Sequence, residues 1–280
     1  MRAFLAATAA AILALAPTLP RAAGPVRILA TAPGQPGTTA EAQPHMDAFA
    51  AAVARRAGLA PGSVEAAYEP TEAGGLAALR GGAHVALVPL PFLVAHGESL
   101  GLQPRLAVAR EPGGTEEVWL LVARKGRIRT PADLAGFRVV SIAGYAPAFV
   151  RAATGAWGRI PDSAEVVASS QVLSALRKAA AGEDVAVLLD GAQSAAFPTL
   201  PFAADLEVVA RSGPLPGALV ATVGQRLPPS RWKAIEAALL GLSEDPAGAA
   251  ALQGIRMTGF RALEPKALAT ARSLASGAPR

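Results

Sequence analysis

Cysteine is absent from the 280 residues, so the chain has no disulfide, no thiol nucleophile and no cysteine to carry a lipid anchor. A fold of this size without covalent staples rests on ordinary apolar cores. Aromatic residues make up only 5% and charged residues only 17%. That is poor material for a nucleic-acid surface, which needs dense basic charge and exposed rings. Twenty-six Lys and Arg against twenty-one Asp and Glu give a formal charge of +5, and they are scattered along the chain. The one basic cluster, Arg124-Lys125-Gly126-Arg127-Ile128-Arg129, reads as a solvated turn between a strand and a helix. No nucleic-acid partner is expected. At 52% hydrophobic, much of it alanine, the sequence supplies cores and gives no case for global disorder.

Long apolar runs are also missing, except at the start. Residues 3–16 are apolar apart from Thr8, Arg2 precedes them, and Pro17 and Pro20 end any helix. This is the pattern of a secretory signal peptide over residues 1–23, too short to span a bilayer comfortably. Cleavage after Ala14-Leu15-Ala16 fits the small-x-small rule, while cleavage at Ala22 or Ala23 leaves a more sensible mature start. Removing Arg2 and Arg21 lowers the charge from +5 to +3. Export with cleavage of the leader is expected.

Two stretches a hundred residues apart read as the same unit. Leu76-Ala77-Ala78-Leu79-Arg80 runs through Gly81-Gly82 into Val85-Ala86-Leu87-Val88-Pro89. Leu173-Ser174-Ala175-Leu176-Arg177 runs through Gly182 into Val185-Ala186-Val187-Leu188-Leu189-Asp190. Each is a short helix, a glycine stop and an apolar run fit for a buried strand. Between and around them, strands are expected at 26–30, 63–68, 117–123, 137–142, 165–168, 206–210 and 218–223. Helices are expected at 42–59, 71–80, 146–154, 169–181, 230–242 and 246–253, with a short capped turn at 130–136. Alternating strands and helices imply an α/β fold of parallel or mixed sheets covered on both faces. The expected architecture is two Rossmann-like lobes joined by a two-strand hinge. Lobe one comprises residues 24–110 and 212–280, lobe two residues 111–211.

Ligands of such sheets gather beyond the carboxyl ends of strands. That rule selects Glu69, Thr71, Pro89, Ser141, Gly144, Tyr145, Ser169, Ser170 and Asp190, with the 32–38 loop beside them. Thr71, Ser169 and Ser170 read as helix caps before ligand contacts, and Asp190 as either a ligand contact or a turn former. No lysine or arginine falls on these loops, so an anion would rest on backbone N–H groups and hydroxyls, whereas Glu69 and Asp190 would suit a positive group. Gly97-Glu98-Ser99-Leu100-Gly101 matches a nucleophile elbow, but His45, His84 and His96 all precede Ser99 in the chain and Pro104 interrupts the helix that should follow. No enzyme activity, metal or cofactor is expected.

The order of these pieces resembles the type 2 periplasmic solute-binding proteins, most closely the phosphate/phosphite/phosphonate-type ABC transporter binding proteins. The resemblance is carried by 76–91, by TPADLAGFRVV at 130–140, by 173–190, by ARSGPLPGALV at 210–220 and by Gly259-Phe260. It implies closure of two lobes on a small ligand, handed by a monomer to an ABC permease in the inner membrane. The turn at 141–145 has hydroxyls only at Ser141 and Tyr145, where phosphonate-type members present a hydroxyl-rich one. A sensor or accessory binding domain of the same fold, signalling to a membrane partner, is the alternative.

Overall fold

The computed structural model describes residues 24–111 and 114–276. The leader read at residues 1–23 lies outside them. The chain opens with β1 (Val26–Thr31), α1 (Thr39–Arg56), β2 (Val64–Glu69), α2 (Glu72–Arg80), β3 (Val85–Pro89), α3 (Leu90–His96) and β4 (Leu102–Ala109). After a short strand, β5 (Glu116–Glu117), come β6 (Leu120–Arg124), β7 (Arg138–Ser141), α4 (Pro147–Ala152), β8 (Glu165–Ala168), α5 (Val172–Ala181), β9 (Val185–Leu189), α6 (Gly191–Ala196) and β10 (Leu206–Arg211). A second short strand, β11 (Leu215–Pro216), leads to β12 (Ala218–Val223), α7 (Pro229–Leu240), α8 (Pro246–Gly254), β13 (Gly259–Ala262) and α9 (Pro265–Ser276).

The strands form two mixed sheets and a ribbon. One sheet has the order β13-β4-β12-β3-β1-β2, the other β10-β6-β9-β7-β8. The chain crosses between them twice, and the crossings pair with each other: β5 lies antiparallel to β11, with Glu117 opposite Leu215 and Glu116 opposite Pro216. Two lobes are thus joined by a hydrogen-bonded ribbon.

Side-chain alternation sets the packing. From β1 and β3, Ile28, Val85 and Leu87 point to the outer face of the first sheet, where they meet Phe49, Val53, Trp232, Ile235 and Phe260. Leu29, Ala86 and Val88 point to the other face and join a second core that runs through Phe92 and Trp119 into Val139, Phe149, Leu188 and Leu189 of the second lobe. Apolar packing therefore continues across the seam between the lobes. C-terminal α9 packs on α3 of the first lobe, α4 of the second and β11 of the ribbon.

Several elements differ from the sequence expectation. Residues 117–123 do not form one strand: the ribbon ends at Glu117, and β6 starts at Leu120. Pro89-Leu90-Pro91 does not merely end a strand; it starts α3, where proline suits the first helical turn because no N–H is needed there. Helix α1 starts at Thr39, earlier than periodicity indicates, because Thr38 and Glu41 close a capping box. The sequence reading placed no helix at α6 and no strand at β4. Ser99, in the elbow-like motif, only donates its hydroxyl to the His96 carbonyl.

Candidate functional site

At the seam, the lobes and the ribbon enclose a cavity of about 40 Å³. At roughly 10–15 Å³ per water this is room for a few waters or one compact headgroup. The first lobe contributes Gln35 from the loop after β1, Pro89 and Pro91 at the start of α3, and Arg110 just beyond β4. The ribbon side contributes Glu117 and Trp119, and the second lobe Ile142, Ala143, Tyr145 and Asp190. Strand ends explain the convergence. β3, β7 and β9 all finish here, and each delivers its next residues to the seam.

Asp190 follows the fully buried run of β9 and is itself only 7% exposed. Its carboxylate caps α6 by accepting from the Gln193 N–H at 2.8 Å, and it accepts from the Gln35 side-chain amide at 3.3 Å across the seam. Tyr145 stands at the turn before α4, half-buried, with its ring 6.5 Å from that of Phe92 in the opposite lobe. Burial, and then the charge of Glu72, push its phenol well above the ordinary range. It is therefore a neutral hydroxyl at the seam.

Glu117 accepts a hydrogen bond from the Gly191 N–H at 3.3 Å. Burial, followed by repulsion from Asp190, pushes its pKa up to about 7 against the pull of that N–H and of Arg110. Arg110 stands at the open mouth of the cavity, with protein crowding the inner part of its side chain. That crowding lowers its pKa, with Glu117, Asp190 and Tyr68 pulling it back. It stays a cation. Trp119 is 2% exposed, and its ring meets Phe149 edge-on at 4.9 Å. Its indole N–H is turned toward Glu117, which it draws slightly down, but it falls short of hydrogen-bond geometry and is buried without a partner.

Of the residues selected from sequence, the cavity brings together Pro89, Tyr145 and Asp190. Glu69, Thr71, Ser141, Gly144, Ser169 and Ser170 do not line it. Thr71 caps α2 through the Gly74 N–H at 3.1 Å, and Glu69 lies over that same first turn. The Ser141 hydroxyl is buried, donates to the Leu188 carbonyl at 2.8 Å and accepts from the Ala143 N–H at 3.1 Å. Ser169 accepts from the Gln171 N–H at 3.0 Å, and Ser170 is exposed. Gly144 packs directly on the backbone of Val167 and Ala168, leaving no space for a Cβ. Arg110, Glu117 and Trp119 were missed. No lysine or arginine falls on the loops selected from sequence, but Arg110, just beyond β4 and outside those loops, brings a cationic side chain to this cavity.

No group of three or more potential metal-ligating side chains occurs among the described residues. No helix among them is long and apolar enough to cross a membrane.

Residues 164–268 match the family model described as the ABC transporter, phosphonate, periplasmic substrate-binding protein. No curated protein matches the sequence. Among solved structures, a Xanthomonas citri protein with ATP bound superposes with a TM-score of 0.68 at 18% identity, over 90% of this chain and 96% of that one. A binding-protein component of an ABC phosphonate transporter from Pseudomonas aeruginosa gives 0.61 at 15% identity, over 90% and 86%. A methylphosphonate complex from Prochlorococcus marinus gives 0.57 at 12% identity, over 90% and 98%. The fold is that of the type 2 periplasmic binding proteins.

Proposed function

We propose that this chain, whose 164–268 segment matches the phosphonate periplasmic substrate-binding family of ABC transporters, captures a small anion between its lobes and presents it to an inner-membrane permease. It acts as a binding protein and not as an enzyme. The lobes are residues 24–110 with 212–280 and residues 111–211, and the leader over 1–23 directs the chain to the periplasm, where it works as a monomer. A phosphonate or phosphate-like headgroup is the ligand class favoured by the family.

The observation that carries this reading is the seam cavity, lined by both lobes and by the ribbon that joins them. A site built that way is completed only when the lobes meet, so ligand binding and closure are one event. Residues Tyr145, Asp190, Glu117, Arg110 and Trp119 are its proposed contacts. A solute larger than the cavity requires the lobes to part further.

A thermal-shift and calorimetric screen with phosphate, phosphite, methylphosphonate and small organic acids tests it. Ligand at a hundred times its dissociation constant stabilises the folded state by about 2.7 kcal/mol. For a protein of this size that is a rise of roughly 5–10 °C. No shift with any compound would remove the anion-binding reading.

A further inference from the structure

The polar groups at the seam are unequally committed. Ser141 is fully engaged with Leu188 and Ala143, and Ser169 with Gln171. The Asp190 carboxylate serves Gln193 and Gln35. Two strong donors on the cavity wall complete no hydrogen bond among the described residues, although both stand in the field of Glu117. One is the Trp119 indole N–H. The other is the Arg110 guanidinium, which makes no hydrogen bond or ion pair. A buried donor left unpaired, as the indole N–H is, is costly, so native structures supply it with a partner or reserve it for one; Arg110, open at the mouth, is free to turn to a ligand.

The position of Trp119 is fixed from three sides. Its backbone N–H donates to the Ser212 hydroxyl at 2.9 Å, and its carbonyl accepts from the Ser212 N–H at 2.9 Å. Ser212 belongs to the second chain crossing, so the indole is pinned between the two connections. Phe149 holds the ring edge-on. The N–H is therefore aimed before any ligand arrives, which spares ordering cost on binding.

We propose that the acceptor oxygens of the ligand are gripped from the hinge, by the Trp119 indole N–H and the Arg110 guanidinium, while the hydroxyls of Ser141 and Ser169 take no part. This rests on the reading of the chain as an anion-binding protein and names the donors within that site. Arg110 supplies the charge, in a fork suited to two oxygens of a phosphonate or carboxylate. Trp119 supplies a directional donor from the dry end. Tyr145, a neutral hydroxyl, closes the far side.

Methylphosphonate and inorganic phosphate are the probes, with calorimetry on the wild type and on Trp119→Phe, Arg110→Gln and Ser169→Ala. Loss of the indole donor is expected to weaken binding about tenfold and loss of the guanidinium about a hundredfold. Ser169→Ala is expected to bind like the wild type. Should Trp119→Phe fold poorly, the wild type suffices: its Trp119 indole N–H resonance, assigned against Trp157 and Trp232, is expected to shift downfield on titration. Wild-type binding with an unmoved Trp119 resonance, or with Arg110→Gln at full affinity, overturns the assignment alone. No wild-type binding to either probe overturns the anion-binding reading and the assignment together.

Discussion

Glu117 is a residue whose chemistry depends strongly on its surroundings. Asp190, Arg110, the Gly191 N–H and the Trp119 indole face it, and burial raises its pKa from an ordinary 4.5 to about 7. The folded protein then holds a proton between these two values that the unfolded chain has released. Its contribution to stability is fully present below about 4.5 and is lost as pH rises through about 7. The melting temperature is expected to fall across this window, and Glu117→Gln is expected to flatten that part of the profile. Differential scanning calorimetry between pH 4.5 and 8 checks both; an unchanged slope in the variant would remove the assignment. Asp190 is a poor target for alanine, because the same carboxylate caps α6. Asp190→Asn separates the charge from the cap.

At the scale of elements, the turn between β7 and α4 shows how a site-like sequence can be structural. Gly144 suits a ligand loop when read from the sequence, yet in the fold it lets the turn lie against the backbone of Val167 and Ala168. Gly144→Ala is expected to cost about 1–3 kcal/mol through overpacking, on the order of 5 °C in melting temperature. A scan of the purified variant measures this; an unchanged melting point would show that the turn has room to move. The helix–glycine–strand units were legible because buried parallel strands and glycine stops write themselves into short windows. Strand β4 was hidden by Pro104, which ordinarily argues against a central strand. The fold admits it at a break in register, where Val220 pairs with Leu106 and Ala221 with Pro104. With β4 unread, Arg110 at its end stayed invisible as a cleft residue. Trp119 and Glu117 were hidden for a related reason, since a single strand over 117–123 leaves no ribbon on which to place them.

Across the whole molecule, the seam is held by more than the cavity. Helix α9 touches both lobes and the ribbon, and Leu274 of that helix is 2% exposed within the shared core. Ending the chain at Leu263 is expected to lower the melting temperature by about 5 °C, from the apolar surface uncovered. It is also expected to enlarge the radius of gyration seen by small-angle scattering, as the lobes separate. An identical scattering curve would mean that α9 leaves closure to other contacts. Two lobes and their crossings could be read from the alternation of strands and helices, but this strap could not. Its significance depends on surfaces that meet only after the chain has folded.

The ribbon of β5 and β11 gives this architecture a particular economy. Glu117 lies in the ribbon and Trp119 two residues beyond it, and both also line the cavity between the lobes. If the chain binds a solute as proposed, a substitution there that improves the hold on it is expected also to alter the swing that lets it go. In this chain, selectivity and release rate should drift together whenever the fulcrum changes.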